Sequence, residues 1–181
     1  ISEFCKKNTN LNSISLRYFN PIGAHKSALI GELPNGVPQN LVPYITQTAI
    51  GLRKELTIFG SDYPTRDGTC IRDYIHISDL ANSHEVALKY LLNLKEYSFY
   101  ESYNVGTGKG TTVLEVVKSF EKVNNLKLNF RIGDRRTGDI IEAYADCSKI
   151  NKDLGWKSKF KIDEALESAW KWENNLKISK I

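Results

Sequence analysis

Two arginine positions and one asparagine corner carry residue types suited to gripping an anion. Arg72 stands beside Asp73 inside the strand-like apolar run "CIRDYIHI". Arg135 and Arg136 precede Thr137, Gly138 and Asp139. A guanidinium fork holds two phosphate oxygens at once, so these positions suit a diphosphate. For any single arginine the alternative is surface solubility or a structural Arg–Asp pair. Arg72 is the stronger candidate, because a long charged side chain is rarely buried without a partner. Asn20 precedes Pro21, which pushes it into extended backbone. Its amide offers two donors and an acceptor for a sugar or phosphate edge; turn formation is the competing reading. Phe59, between Ile58 and Gly60, can present a ring to a planar base at a strand end. Core packing is the alternative for Phe59, as for Phe19 and Tyr74.

Other patterns fail on spacing. "GTGKGTT", residues 106–112, has Thr111 where a dinucleotide fingerprint needs its third glycine. It also lacks a lysine straight after its last glycine, which a P-loop needs. It reads as a turn before a capped helix. His25, His76 and His84 show no HxxxH or HExxH spacing, so no metal site is expected. His76, between Ile75 and Ile77, reads as a satisfied, partly buried imidazole. No Gly-x-Ser-x-Gly elbow is present.

The bulk numbers narrow the class further. The 181 residues are 41% hydrophobic and 25% charged, which suits an ordinary globular chain of one or two domains with a sizeable core. The net charge of +4 is spread without a run of five basic residues, so a small anionic ligand fits and a nucleic-acid partner does not. No apolar run approaches the ~18 residues of a membrane span. Cys5, Cys70 and Cys147 are odd in number, far apart and in no CxxC. That argues against zinc or a disulfide framework and for a reducing compartment. The chain contains no methionine and opens on "ISEFCKKNTN", which reads as the end of a helix. A fragment with its upstream part missing is therefore expected.

The elements that must position these residues alternate. A strand is expected over 13–19 and a long loop over 20–39, where so long a loop is usually functional or disordered. Asn40 can cap a helix to about Arg53, with Pro43 harmless in its first turn. "LTIFG" reads as a strand and "CIRDYIHI" as another. Ser78 or Asp79 starts a helix through Leu94. "SYNVG" is a strand, Thr112 and Glu115 form a capping box, and "LNFRI" is a strand. A short helix near 148–154 stops at Gly155, and Asp163 opens a final helix carrying Leu166 and Trp170. Strands alternating with helices predict an α/β chain.

Five segments in order, "LRYFNPIGAH", "PQNLVPYI", "LTIFGSDYPTRDGTCIRDYIHISDLA", "YNVGTGKGTTVLEVV" and "RRTGD", resemble the C-terminal half of the UDP-glucose 4-epimerases. These are NAD-dependent isomerases of galactose metabolism in the extended short-chain dehydrogenase/reductase family. The resemblance covers essentially the whole chain. It implies the last strand of a Rossmann domain over 1–20 and the smaller α/β UDP-sugar-binding domain over 21–181. The Gly-rich fingerprint, catalytic Ser and Tyr-x-x-x-Lys pair of such enzymes lie upstream of "RYFNP", so no catalytic residue is expected in these 181 residues. Matched motif by motif, Phe19 would lie against the nicotinamide and Asn20 near the substrate diphosphate. Asn40 and Leu41 would hold the nucleotide, and Phe59 would pack on uracil. Arg72 and Arg136 would grip the diphosphate, Asp139 would accept from the ribose, and Tyr74 would belong to the same substrate site. Ala143 stands where some relatives carry a bulky tyrosine, which implies room for UDP-N-acetyl sugars beside UDP-glucose and UDP-galactose. The family also implies a cytoplasmic homodimer. The 13–19 strand is expected to lack its sheet neighbours. The rival readings are a non-catalytic nucleotide-sugar binding module, or a dehydratase or decarboxylase of the same superfamily; "RYFNPIGAH" argues against the latter pair.

Overall fold

A computed structural model describes residues 1–8, 10–95 and 97–178, with side chains through 176. After a short helix α1 (Ser2–Lys7), strand β1 (Ser13–Tyr18) leads directly into β2 (Asn20–Ile22). Helix α2 (Leu41–Ala49) and strand β3 (Leu56–Phe59) follow, then β4 (Ile71–Arg72), β5 (Tyr74–His76) and helix α3 (Ile77–Asn93). The remainder is β6 (Tyr100–Val105), β7 (Thr111–Thr112), α4 (Val113–Asn124), β8 (Phe130–Gly133), β9 (Glu142–Ala143), α5 (Ser148–Leu154) and α6 (Ile162–Ile178). The chain is mixed α/β, as the alternation predicts, and most of its pairings are parallel. These join β1 to β6, β2 to β5, β3 to β8 and β4 to β9, while β4 and β7 are antiparallel.

The pairings create a division at one point. β1 runs beside β6 until Tyr18 faces Val105. Phe19 N–H still donates to Val105 O at 3.1 Å, but Asn20 N–H donates to Asp73 O at 3.0 Å. From there β2 runs beside β5, with Asn20 opposite Tyr74. One continuous segment thus changes partner between Phe19 and Asn20. In sheets of this kind a crevice opens where neighbouring connections diverge, beyond the carboxyl ends of the strands.

Two cores flank the division. Val42, Ile45, Leu56, Ile58, Val116, Val117, Phe120 and Leu166 join α2, β3, α4 and α6. Trp170 meets Phe120 edge-on at 5.8 Å. Ile75, Leu80, Tyr103, Val105, Ile150 and Trp156 form the other, against Ile14 and Leu16 of β1.

Several local expectations are corrected. The 13–19 strand does have a neighbour, β6; its other edge carries no strand among the described residues. "CIRDYIHI" is not one strand but two, interrupted at Asp73. Helix α2 stops at Ala49 rather than near Arg53. Gly51, at φ +86°, supplies the left-handed turn, and Leu52 and Gly51 N–H groups donate to the Gln47 and Thr48 carbonyls at 2.9 and 3.1 Å. That is a Schellman stop, whose glycine carries no Cβ penalty. Helix α3 is capped not by Ser78 or Asp79 but by His76, whose Nδ1 accepts from Ser78 N–H at 3.0 Å. The expected capping box is present: Glu115 N–H donates to Thr112 Oγ1 at 3.0 Å and Thr112 N–H to Glu115 Oε2 at 2.9 Å.

The long loop is ordered by α6. Asn175 Nδ2 donates to Ala28 O, and Trp172 Nε1 to Glu32 O, each at 2.9 Å. Gly31 lies flat on the Trp172 ring, where a Cβ would overlap it.

Candidate functional site

A cavity of about 540 Å³ lies beside the point where the segment changes partner. Phe19 and Asn20 line it from the division, Asn40 and Leu41 from the start of α2, and Phe59 from the end of β3. Arg72 and Tyr74 line it from β4 and β5, and Arg136 and Asp139 from the loop after β8. The residues singled out from the sequence for the ligand site are therefore gathered there except Arg135 and Ala143. Ala143 sits on β9 opposite Arg72 in register and is not among the lining residues.

Charge is concentrated at one side. Asp139 Oδ1 accepts from Arg136 Nη2 at 2.8 Å and lies 3.9 Å from Arg72 Nη2. Arg72 Nη1 is fixed by Ile71 O at 2.8 Å and Ile140 O at 2.7 Å. Its carboxylate partner is thus Asp139, not its chain neighbour Asp73. Successive strand residues point to opposite faces, which is why. Two cations share one carboxylate, leaving local positive charge for an incoming anion. The Arg136 guanidinium also lies 5.5 Å from the Phe59 ring centroid, a cation–π pairing that leaves the ring 43% exposed. Tyr74 is buried, and burial pushes its phenol well above the ordinary range, so it stays an O–H donor.

The N-terminus of α2 adds a second anion-favouring feature. Asn40 occupies the cap position in extended backbone but makes no side-chain cap bond; its Nδ2 donates to Glu32 Oε1 at 2.7 Å instead. Asn40, Leu41 and Val42 line the cavity, so the positive end of the helix dipole opens onto it.

Arg135 serves the protein itself. Its Nε donates to Asp62 Oδ1 at 2.7 Å and its guanidinium lies 4.3 Å from the Tyr63 ring centroid. This bracket holds the loop whose next residue, Arg136, faces the cavity. The glycine-rich turn likewise spends its N–H groups within the protein. The N–H groups of Thr107 and Gly108 donate to the Asp73 carboxylate at 2.9 Å each. Cys70 and Val113 also line the cavity and were missed by sequence reasoning. Cys70, Arg72 and Tyr74 stand at every second position, the period of one strand face, a signal that could have found Cys70. Among the described residues no group of three or more His, Cys, Asp or Glu is placed to hold a metal. None of the described helices is long and apolar enough to cross a membrane.

A mixed α/β chain with parallel pairings and a cavity lined by two arginines and an aromatic ring has the fold of the extended short-chain dehydrogenase/reductase class. The chain belongs to the family of that class described as GDP-mannose 4,6 dehydratase, whose model matches residues 1–169. Within it, the chain is 50% identical over 174 residues to the UDP-glucose 4-epimerase of Drosophila melanogaster, covering 96% of this chain and 49% of that protein. It superposes with a TM-score of 0.94 and 44% identity on the UDP-glucose 4-epimerase of Stenotrophomonas maltophila, solved with NAD and formylated UDP-arabinopyranose, over 98% of this chain and 52% of that one. The Bifidobacterium longum UDP-glucose 4-epimerase, in complex with NAD+ and UDP, gives 0.89 and 42% over 96% of this chain and 50% of its own. The chain spans about half the length of these relatives.

Proposed function

We propose that this chain is the UDP-sugar-binding part of an NAD-dependent UDP-glucose 4-epimerase. The observation that carries the reading is the convergence of Asn20, Phe59, Arg72, Arg136 and Asp139 on one cavity in a chain half identical to such epimerases. Residues 1–20 form the C-terminal end of the cofactor domain and 21–181 the nucleotide-sugar domain. Phe59 packs on uracil, Asp139 accepts from a ribose hydroxyl, and Arg72 and Arg136 clamp the diphosphate. Asn20 reads the diphosphate edge, Asn40 and Leu41 hold the nucleotide at the α2 N-terminus, and Tyr74 donates from the floor. Phe19, where β1 leaves β6, faces the nicotinamide; a crevice at such a division fits a dinucleotide.

When bound, NAD supplies hydride transfer at the sugar C4. This chain's task is restraint. The nucleotide must stay fixed while the 4-keto sugar turns over to present its other face. Charge-assisted bonds to the diphosphate contribute roughly 1.5–3 kcal/mol each before competing costs. The hexose end needs looser walls. UDP-glucose and UDP-galactose are the substrates; the small Ala143, outside the cavity lining but opposite Arg72 in register, leaves room next to that lining for UDP-N-acetyl sugars, and the working enzyme is a cytoplasmic homodimer.

Calorimetric titration with UDP tests the reading. Saturable binding that Arg72→Ala and Arg136→Ala weaken is expected. No binding, or binding indifferent to both variants, overturns it.

A further inference from the structure

Asp73 does not line the cavity, yet the segments that carry Asn20 and Arg72 to it meet at this residue. Its side chain is fully buried. One carboxylate accepts from Thr107 N–H at 2.9 and 3.0 Å, Thr107 Oγ1 at 2.6 Å, Gly108 N–H at 2.9 Å and Ala145 N–H at 3.1 Å. Its main chain is equally committed. Its N–H donates to Ala143 O at 3.1 Å, and its carbonyl accepts from Asn20 N–H at 3.0 Å. Four segments, 19–20, 72–74, 106–108 and 143–145, are therefore joined through one residue.

The position has a physical reason. β1 pairs with β6 and β2 with β5, and β5 and β6 share no ladder. Where they part, the N–H groups of the 106–108 turn have no strand to donate to, and buried amides need partners. The Asp73 carboxylate supplies them from across the gap. All its side-chain contacts are donors, so an acceptor-only group fits and an amide, with its own NH2, does not. Gly106 shows how close the approach is: a Cβ there would overlap both the carboxylate and the Ala145 side chain.

We propose that Asp73 is a positioning residue for diphosphate binding: by holding the 106–108 turn and the 143–145 segment, its carboxylate fixes the backbone from which Asn20 and Arg72 reach the ligand. The proposal rests on the functional reading above. Arg72 is bracketed by Ile71 O and Ile140 O, and the stretch that follows Ile140 is the one tied to Asp73. Loosening the knot frees both ends of that bracket while leaving the uracil wall at Phe59 on a different ladder.

The test compares UDP with uridine, by calorimetry and by NMR titration, in the wild-type chain, Asp73→Asn and Thr107→Val. Asp73→Asn is expected to weaken UDP at least tenfold and uridine less than threefold, with faster amide exchange at Thr107 and Gly108. Thr107→Val, which removes one donor and leaves the backbone amides, is expected to weaken UDP about threefold and uridine not at all. It decides the matter if Asp73→Asn does not fold. Equal losses for UDP and uridine, the mark of a merely structural residue, overturn the proposal, as does unchanged UDP binding. A wild-type chain that binds no UDP overturns the functional reading, and this proposal with it.

Discussion

Arg135 and Arg136 are neighbours with opposite duties, one locked to Asp62 and Tyr63, the other facing the cavity beside Asp139. Arg72, held by two carbonyls and only 21% exposed, is the better-ordered half of the clamp. Arg72→Ala should therefore weaken UDP binding about 10–100-fold, the equivalent of one or two charge-assisted bonds. Arg136→Ala, at a side chain 62% exposed, should cost about tenfold; both are read by calorimetry. Ala143→Tyr should abolish turnover of UDP-N-acetylgalactosamine and spare UDP-galactose in a protein that also carries the cofactor half; unchanged turnover of the N-acetyl sugar removes the idea. At this scale the clamp was legible because charge inside an apolar run is conspicuous. The role of Asp73 was not. Its partners lie 34, 35 and 72 residues away in the chain, and no spacing rule joins such distances.

Helix termini set the acid limit of the fold. Burial holds the His76 imidazole below its ordinary 6.5, and its Nδ1 must stay unprotonated to cap α3. The folded state thus binds fewer protons than the unfolded one. Stability is full above about pH 6.5 and falls as pH drops through the depressed folded value. Arg66, bonded to Glu115 Oε1 at 2.6 Å, holds that carboxyl down to about 2 from an ordinary 4.5, so a second decline is expected between those values. The melting temperature followed against pH should show both, and His76→Asn, a cap that does not titrate, should erase the first alone. Thr112→Ala, which removes half of the capping box, should lower stability by about 1–2 kcal/mol and Tm by roughly 2–8 °C. The capping box was readable because its four residues are contiguous. The His76 cap was overlooked because histidine is uncommon there, and the breadth of "CIRDYIHI" concealed the break at Asp73, which tertiary bonding makes.

For the whole molecule, the exposed edge of β1 is the feature with a consequence in solution. Among the described residues no strand pairs with its side away from β6, and Tyr18 beside it is 54% exposed; such edges seek other strands. Light scattering on the isolated chain should show species heavier than 20.5 kDa; a clean monomer would count against this. The same chain should give no NADH signal with UDP-galactose, because no tyrosine in it is followed four residues on by a lysine. The α/β class was readable from alternating elements, whereas the pairing of β1 with β6 was not, since 87 residues separate Ser13 from Tyr100.

The stitch at Phe19–Asn20 has one last mechanical meaning. A single peptide is sewn on one side to the ladder that ends at Val105 and on the other to the ladder that begins at Tyr74. A twist of one ladder against the other strains that peptide together with the Asp73 carboxylate, which bridges the same two ladders through Thr107 and Gly108. Redox partner and nucleotide tail, gripped on either side of it, would then stay in fixed mutual alignment while the hexose between them swings.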